Sequence, residues 1–328
     1  MPPRISRRSV LALALNAPLL AVACSAAKDT TALPTTEGGS VDAHAVTVTP
    51  VPPTATPIPP TPTPVPPMVQ PAPAQIQQGG TGVVILNAPA TAATLRFNGL
   101  QYPMVQAGDR WWTMVGVGAF ADIAPYSLNI SYTPPGGAQT SATGTLPVLD
   151  KDYPVENIDL DATTSALLAP DIVNNELAKR AAIYSVFTPR KMWSGPWLRP
   201  NTAAIGDIYG IARGYNGSPP TDYHRGTDFV AQKGEKVIAA AAGKVAFAGP
   251  LQVRGNSVIL DHGVGVFSAY HHLSRIDVAN DQDITSGQQL GLVGDTGLVT
   301  GPHLHWEVVV RTVEVDGSLW LDGHDWGL

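Results

Sequence analysis

The sequence predicts a mainly β protein, in which two all-β domains are joined by a short connector that contains one helix. Short runs of β-branched and aromatic residues recur from about residue 80 into the last third of the chain. Turn-forming residues separate these runs, and the 328 residues include 32 Gly and 31 Pro. Short apolar runs between frequent turns are typical of antiparallel β structure.

The charge balance and the cysteine count exclude two classes of protein. The formal net charge is −6, whereas binding to nucleic acid needs a basic surface, so no nucleic-acid partner is predicted. The chain has one cysteine, which rules out an intrachain disulfide. A protein without disulfides must be stabilised by its core, by a bound metal or by both.

Residues 1–24 are predicted to be a signal peptide. Several arginines and no acid precede the apolar run Val10–Ala23. This run is too short to span a bilayer, and the order of basic and apolar segments is that of an export signal. The pair Arg7 and Arg8 also resembles a twin-arginine export signal, although paired arginines are common in basic leader segments.

The end of this segment predicts a membrane anchor. Leu20 to Cys24 resembles a bacterial lipobox, in which the cysteine is lipidated and becomes the mature N-terminus. Ala21 stands where the lipobox usually has Leu. We therefore predict an extracytoplasmic lipoprotein that is anchored through Cys24, and an ordinary cleavage site in a secreted protein is the alternative.

Residues 25–79 are predicted to be a proline-rich, disordered stalk. Proline falls at about every second position between Pro50 and Pro73. Because proline fixes φ and has no N–H to donate, the stretch should be extended polyproline II rather than helix or sheet. At about 3.1 Å per residue it would reach on the order of 75 Å. A ligand for SH3-like domains is the alternative, and export disfavours it.

Residues 80–150 are predicted to form a small all-β spacer domain that resembles a β-sandwich. Turn signals separate four strand-like runs, which are Val83–Leu86, Ala93–Phe97, Trp111–Val115 and Tyr126–Ile130. No side chains in this segment have catalytic spacing. A carbohydrate-stacking surface at Trp111 and Trp112 is the alternative, but one of two neighbouring strand residues must face the core.

Residues 151–194 are predicted to connect the two domains through one amphipathic helix, Asp171–Phe187. The apolar residues with helical spacing, which define its predicted buried face, are Ile172, Leu177, Ile183 and Val186. Thr188 and Pro189 end the helix. No chemistry is predicted for this connector.

Five of the eight histidines fall in three short clusters near the C-terminal end. The clusters are His224-Arg225-Gly226-Thr227-Asp228, Tyr270-His271-His272-Leu273 and His303-Leu304-His305-Trp306-Glu307. In the first cluster Gly226 and Thr227 favour a strand, on which the even spacing of His224 and Asp228 places both side chains on one face.

Strand parity also orders the other two clusters. His303, His305 and Glu307 share one face of a strand, with the two imidazoles about 6–7 Å apart. That distance allows one ring to bind a metal and the other to reach a metal-bound water. In the second cluster parity places His272 on the same face as Tyr270, so His271 is predicted to point away from the site.

In this order, the motifs resemble those of the M23 family, the lysostaphin-like (LytM) zinc endopeptidases of peptidoglycan. The motifs are His-x-x-x-Asp, Tyr-x-His-Leu and Gly-x-Thr-Gly-x-x-Thr-Gly-Pro-His-Leu-His at Gly294–His305. The resemblance covers about residues 195–320, and we delimit a peptidase domain at residues 195–328 that is expected to fold by itself. It implies an antiparallel β-sheet that forms a groove with zinc at its floor.

The resemblance implies that His224, Asp228 and His305 bind Zn²⁺. It further implies His303 as the general base, with His272 either assisting it or stabilising the oxyanion. Catalytic zinc takes three N or O ligands and leaves a position for water, whose pKa it lowers to about 7. Because the chain has no His-Glu-x-x-His motif, a histidine must move the proton, and its usual pKa near 6.5 suits that task.

Two further residues are interpreted through the same resemblance. Tyr215 resembles the tyrosine that polarises the scissile carbonyl in this family, although the insert at residues 218–222 disturbs the alignment. Glu307 is one step beyond the ligands on their strand face, where it is expected to support them.

Two functions are compatible with these residues. The predicted one is an enzyme that hydrolyses peptide bonds in peptidoglycan stem or cross-link peptides outside the membrane. The alternative is a wall-binding or regulatory protein on the same fold. Family members of that second kind have typically lost ligands, whereas all five positions are filled here, so the enzyme is favoured.

Overall fold

The computed structural model of the protein describes residues 68–321 and residue 326. The predicted signal peptide, Cys24 and most of the predicted stalk lie outside this part of the chain. Within it, no helix has the length and the apolar composition that crossing a membrane requires. The described residues fall in one compact unit, and its elements confirm the mainly β prediction.

The first part is a sandwich of two sheets. Its strands are β1 Met68–Ala72, β2 Ile76–Gln77, β3 Thr81–Asn87, β4 Ala92–Phe97, β5 Leu100–Pro103, β6 Val105–Ala107, β7 Arg110–Gly116, β8 Pro125–Thr133 and β9 Thr140–Leu149. One sheet has the order β1-β3-β7-β6 and the other β2-β9-β8-β4-β5. Alternate residues of both sheets, such as Leu86, Leu95 and Ile130, form the core between them. The four predicted runs lie within β3, β4, β7 and β8.

The predicted end of the stalk at residue 79 is wrong, because β1 and β2 lie before it. Pro71 is inside β1, opposite Val84 of β3. Since β1 is the outermost strand of its sheet, a residue without an N–H is tolerated there. The rule that proline excludes sheet structure holds for central strands and fails at an edge.

The tryptophan pair does not form an open stacking surface. Trp112 is buried and belongs to a core that the sandwich shares with the C-terminal sheet. Trp111 packs against the sandwich core, and its Nε1 donates to the Ala90 carbonyl oxygen at 3.3 Å. Both rings therefore contribute to packing.

The connector contains more structure than one helix. Its elements are β10 Val155–Ile158, α1 Ala162–Ser165, a 3₁₀ turn Ala166–Leu168 and α2 Pro170–Tyr184. Helix α2 confirms the predicted helix, but its predicted buried face is wrong, since Leu177 and Val186 are exposed. The buried residues are Glu176, Arg180 and Tyr184, which recur every four positions and form one helix face.

The C-terminal part is built on one antiparallel sheet. Its elements are β11 Ala212–Tyr215, β12 Asp222–Tyr223, β13 Thr227–Phe229, β14 Lys236–Ile238, β15 Gly243–Leu251, β16 Gly255–Gly263, β17 Val266–Ile276, β18 Asp283–Ile284, β19 Gln289–Val293, β20 Leu304–Val310, β21 Val313–Val315 and α3 Ser318–Leu321. The main order is β13-β20-β17-β16-β15-β18. Strand β11 pairs separately with β12 and, in parallel, with β10 of the connector.

One hydrophobic core runs through the sandwich, the connector and this sheet. Val83 and Met114 of the sandwich and Trp193 of the connector are buried in the same cluster as Trp306 and Val310 of β20. The contact is close, since a Cβ on Gly116 of β7 would lie 2.8 Å from Val315. The boundaries predicted at residues 150 and 194 therefore do not separate independent cores.

Candidate metal centre

Three buried side chains each bring one ligand atom to a single point beside strands β13 and β20. Asp228 lies directly opposite His305 in the register of these strands. Its Oδ1 is 2.7 Å from His305 Nδ1 and 3.0 Å from His224 Nε2. The two ring nitrogens are 2.9 Å apart. The predicted ligands are thus brought together.

The outer hydrogen bonds of the two histidines determine which ring nitrogen carries the proton. His224 Nδ1 donates to the carbonyl oxygen of Ile208 at 2.8 Å, and His305 Nε2 donates to the Glu307 carboxylate at 3.0 Å. A carbonyl and a carboxylate can only accept. The inner nitrogens consequently carry lone pairs and face an oxygen of Asp228. Three lone pairs without a proton between them would repel one another, so the arrangement calls for a cation.

The donor set fits zinc. Tetrahedral zinc with bonds of about 2.0–2.2 Å places neighbouring ligand atoms roughly 3.3 Å apart, close to the 2.7–3.0 Å seen here. Two imidazoles and one carboxylate leave a fourth position open, as in catalytic zinc sites. His224, Asp228 and His305 are 2%, 8% and 3% exposed, so the cation would be largely shielded from water.

His224 reaches this point from a coil segment rather than from a strand. Strand β13 begins only at Thr227, so the strand predicted over His224–Asp228 is wrong in its first half. Gly226 explains how the chain fits. A Cβ there would lie 2.4 Å from the carbonyl oxygen of Trp306 and 2.9 Å from the His305 ring. Only glycine lets the backbone approach the opposite strand this closely.

His303 stands beside the predicted ligands, and among the described residues its Nε2 has no hydrogen-bond partner. Its Nδ1 donates to the carbonyl oxygen of Gly301 at 2.9 Å, so Nε2 carries the lone pair. His303 Nε2 is 3.8 Å from Asp228 Oδ1. The side chain is 20% exposed and lines the groove.

His272 also lines the groove, but the parity argument that predicted it is wrong. Tyr270 points into the core, where it is fully buried. His271, by contrast, pairs with His305 across β17 and β20 and lies on the sheet face of the ligands, wholly buried behind them.

A β-bulge accounts for the difference. Tyr270 pairs with Val258 and Leu273 with Asn256, so two residues of β17 oppose one of β16. His272 has φ of 60°, a left-handed conformation uncommon for residues other than glycine. The bulge turns its ring toward His303, with ring centroids 4.8 Å apart. Its Nδ1 donates to the carbonyl oxygen of Thr296 at 2.7 Å.

The groove holds a volume of about 320 Å³ and opens over the ligands. Tyr215 lines it, next to β10 of the connector, which contributes Glu156 and Ile158 to the wall. Burial raises the pKa of Tyr215, so its hydroxyl keeps its proton and can donate. Burial lowers the pKa of His272 well below its ordinary value, and His303 and His305 act in the same direction.

Two buried carboxylates of the site, Asp228 and Glu307, keep their negative charge because neighbouring groups outweigh the effect of burial. Burial acts to raise the pKa of Asp228, yet His224 and His305 lower it well below its ordinary value. Burial likewise acts to raise the pKa of Glu307, and Arg180 and Arg254 hold it far lower. Both groups are therefore anionic at neutral pH.

Sequence reasoning missed the arginines of the site. Arg213, on β11, lies 2.8 Å from Asp207 and 3.6 Å from Asp228 Oδ2, so it places a positive charge beside the Asp228 carboxylate. Arg180 and Arg254 both bind Glu307. No local pattern marks them, because each meets its partner only through the tertiary fold.

Comparison with known proteins identifies the region that carries this geometry. The sequence profile described as Peptidase family M23 matches residues 222–317. Peptidoglycan DD-endopeptidase ShyA of Vibrio cholerae is 43% identical over 88 residues, which are 27% of this chain and 20% of that protein. Outer membrane antigenic lipoprotein B of Haemophilus influenzae is 29% identical over 202 residues, which are 61% of this chain and 47% of that protein. The chain thus spans less than half of the length of either relative.

A solved structure extends the likeness beyond the matched segment. A crystal structure described as a peptidase M23 from Pseudomonas aeruginosa is 26% identical and has a TM-score of 0.56. The matched region covers 76% of this chain and 95% of the Pseudomonas aeruginosa chain, so the similarity includes elements before residue 222. The chain therefore contains a peptidase family M23 domain at residues 222–317.

Proposed function

We propose that this protein is a zinc-dependent endopeptidase that hydrolyses peptide bonds in peptidoglycan stem or cross-link peptides, outside the membrane to which it is tethered. The observation that carries the proposal is the convergence of three lone-pair donors at the floor of an open groove. The name of the Vibrio cholerae relative, a peptidoglycan DD-endopeptidase, supports the substrate class.

His303 is the proposed general base. When bound, zinc supplies a Lewis acid that polarises a carbonyl group and lowers the pKa of water to about 7. His303 Nε2 lies 3.8 Å from a ligand oxygen and carries a lone pair. It is therefore placed to accept a proton beside the ligand cluster and later to return it to the leaving amine.

His272 and Tyr215 are proposed to complete the site. Because His272 donates through Nδ1 to Thr296, its Nε2 also carries a lone pair when the ring is neutral. A neutral His272 can therefore accept a proton at Nε2 and assist His303, whereas it has no N–H left to donate to an oxyanion. The protonated hydroxyl of Tyr215 is then the side-chain donor proposed for the substrate carbonyl in this groove.

Metal analysis and digestion of defined substrates test this function together. We expect about one zinc per purified chain, and cleavage of cross-linked muropeptides that a chelator stops and added zinc restores. Mass analysis of the fragments would identify the bond that is cut. Absence of both zinc and cleavage would favour the wall-binding alternative instead, because a scaffold needs neither.

The tether is proposed to be lipid on Cys24. The cysteine ends a predicted signal peptide, and one relative is named an outer membrane lipoprotein. We expect Cys24→Ala to move the protein from the membrane fraction into the soluble exported fraction with its activity intact. Cys24→Ala that stays membrane-bound would rule out this anchor. Replacing Ser25 by Ala, next to it, provides a control that should remain anchored.

A further inference from the structure

The metal ligand His305 is backed by a buried cluster of charged side chains that begins outside the segment matched to the family. Glu307 of β20 is fully buried, and its carboxylate accepts from His305 Nε2 at 3.0 Å. Arg254, in the turn before β16, donates to the same oxygen at 3.0 Å through Nε. Arg180 of α2 donates to the other oxygen. Glu307 is thus saturated by three positively polarised donors.

Glu307 determines which nitrogen of His305 faces the metal. Because the carboxylate takes the proton on Nε2, the lone pair is on Nδ1, next to Asp228. Partners of this kind orient ligand rings and commonly affect metal affinity by 10–100-fold. An anion this deeply buried must itself be paired, since an isolated buried charge is strongly destabilising.

Helix α2 supplies that pairing in two ways. Arg180 contacts Glu307 directly and is 3% exposed. One turn earlier, Glu176 accepts from the backbone N–H groups of Val253 at 2.7 Å and Arg254 at 3.1 Å. The helix therefore also holds the turn from which Arg254 reaches Glu307.

Aromatic packing also fixes helix α2 against the sheet. Tyr184, two turns after Glu176 on the same face, packs on Phe267 of β17 with ring centroids 5.4 Å apart. All three residues of this face are buried. A buried helix face whose Glu176 and Arg180 carboxylate and guanidinium groups bind the turn before β16 and Glu307 indicates a specific role rather than general coverage of the sheet.

We propose that Arg180 is a positioning residue of the metal centre, which holds Glu307 so that His305 presents Nδ1 to zinc. Glu176 supports the same task through Arg254. The connector helix is then a functional part of the site, although it lies outside residues 222–317. The inference rests on the proposed zinc site and adds to it the residues that set its affinity.

Zinc titration of the metal-free full chain against a chelating dye tests the proposal. Arg180→Met removes the charge at similar volume and is expected to lower zinc affinity by about 10–100-fold. Arg180→Lys keeps a cation near Glu307 and is expected to recover much of that loss, without the two-carboxylate geometry of the guanidinium. Wild-type protein that binds no zinc would refute the proposed function. If the wild type binds zinc and Arg180→Met binds it equally tightly, only this inference is refuted.

Glu314 provides the matched control. Its carboxylate is the other partner of Arg180, at 3.3 Å, and the structure shows no contact between it and His305. Glu314→Gln should leave zinc affinity unchanged, even where it lowers thermal stability as much as Arg180→Met does. Equal losses of zinc affinity in both variants would indicate general destabilisation and overturn the proposal.

A double-mutant cycle separates a direct role from one exerted through Glu307. In a Glu307→Gln background, Arg180 has no carboxylate on β20 to hold. Arg180→Met should then cost little further zinc affinity, because the two effects share one pathway. A full additional loss in that background would show that Arg180 does not act through Glu307.

Discussion

His305→Ala and His303→Ala are expected to give proteins that look alike in an activity assay and differ in metal content. In the proposed site His305 supplies one of three ligand atoms. Its removal would leave two, and zinc affinity should fall by more than the roughly 100-fold typical of losing an outer partner. His303 Nε2 is 3.8 Å from Asp228 and its other nitrogen is held by a carbonyl, so it is placed as a base and not as a ligand. His303→Ala should keep zinc near one per chain.

Both substitutions should lower turnover of muropeptides, for His303→Ala by about 10²–10⁴-fold. The measurements are zinc content after dialysis and kcat on a defined cross-linked peptide. His262 offers a control histidine, because it is buried in the same sheet and bonded to Ala242 and Ser268, away from the ligands. Its replacement should lower stability without releasing zinc. Zinc lost from His303→Ala and kept in His305→Ala would reverse the two roles.

Residues 195–328 alone are expected not to fold stably. Removing the preceding residues takes Val83, Trp112, Met114 and Trp193 out of a core that they share with β20. Losing a large buried apolar side chain costs about 2–5 kcal/mol, and a domain has about 5–15 kcal/mol of unfolding free energy in total. Four such losses are enough to exhaust it. The fragment would also lack Arg180, which would leave the buried Glu307 with one arginine partner fewer.

Urea denaturation followed by circular dichroism checks this expectation. Residues 68–328 are the control, because that fragment retains every described contact, and it should unfold cooperatively and bind zinc. A fragment 195–328 that unfolds cooperatively and binds zinc as tightly would show that the shared core is dispensable. The prediction from the sequence that residues 195–328 fold by themselves would then be correct.

The sequence by itself predicted which side chains meet at the candidate metal centre and much of the local structure. His224, Asp228 and His305 could be predicted as ligands through the family resemblance, because residue types and their order along the chain are local information. Four sandwich strands and the position of α2 followed from periodicity and turn residues, which are also local.

The tertiary structure alone decided how these segments meet. The His272 ring enters the groove because of a bulge, in which two residues of β17 oppose one of β16. The residue pattern of β17 does not predict this bulge. Helix α2 buries a polar face because that face meets Glu307, 127 residues away along the chain. Hydrophobic periodicity predicted the wrong face, since it assumes that whatever covers a helix is apolar. Contacts between distant segments depend on which residues the fold brings together, and a local sequence pattern does not predict them.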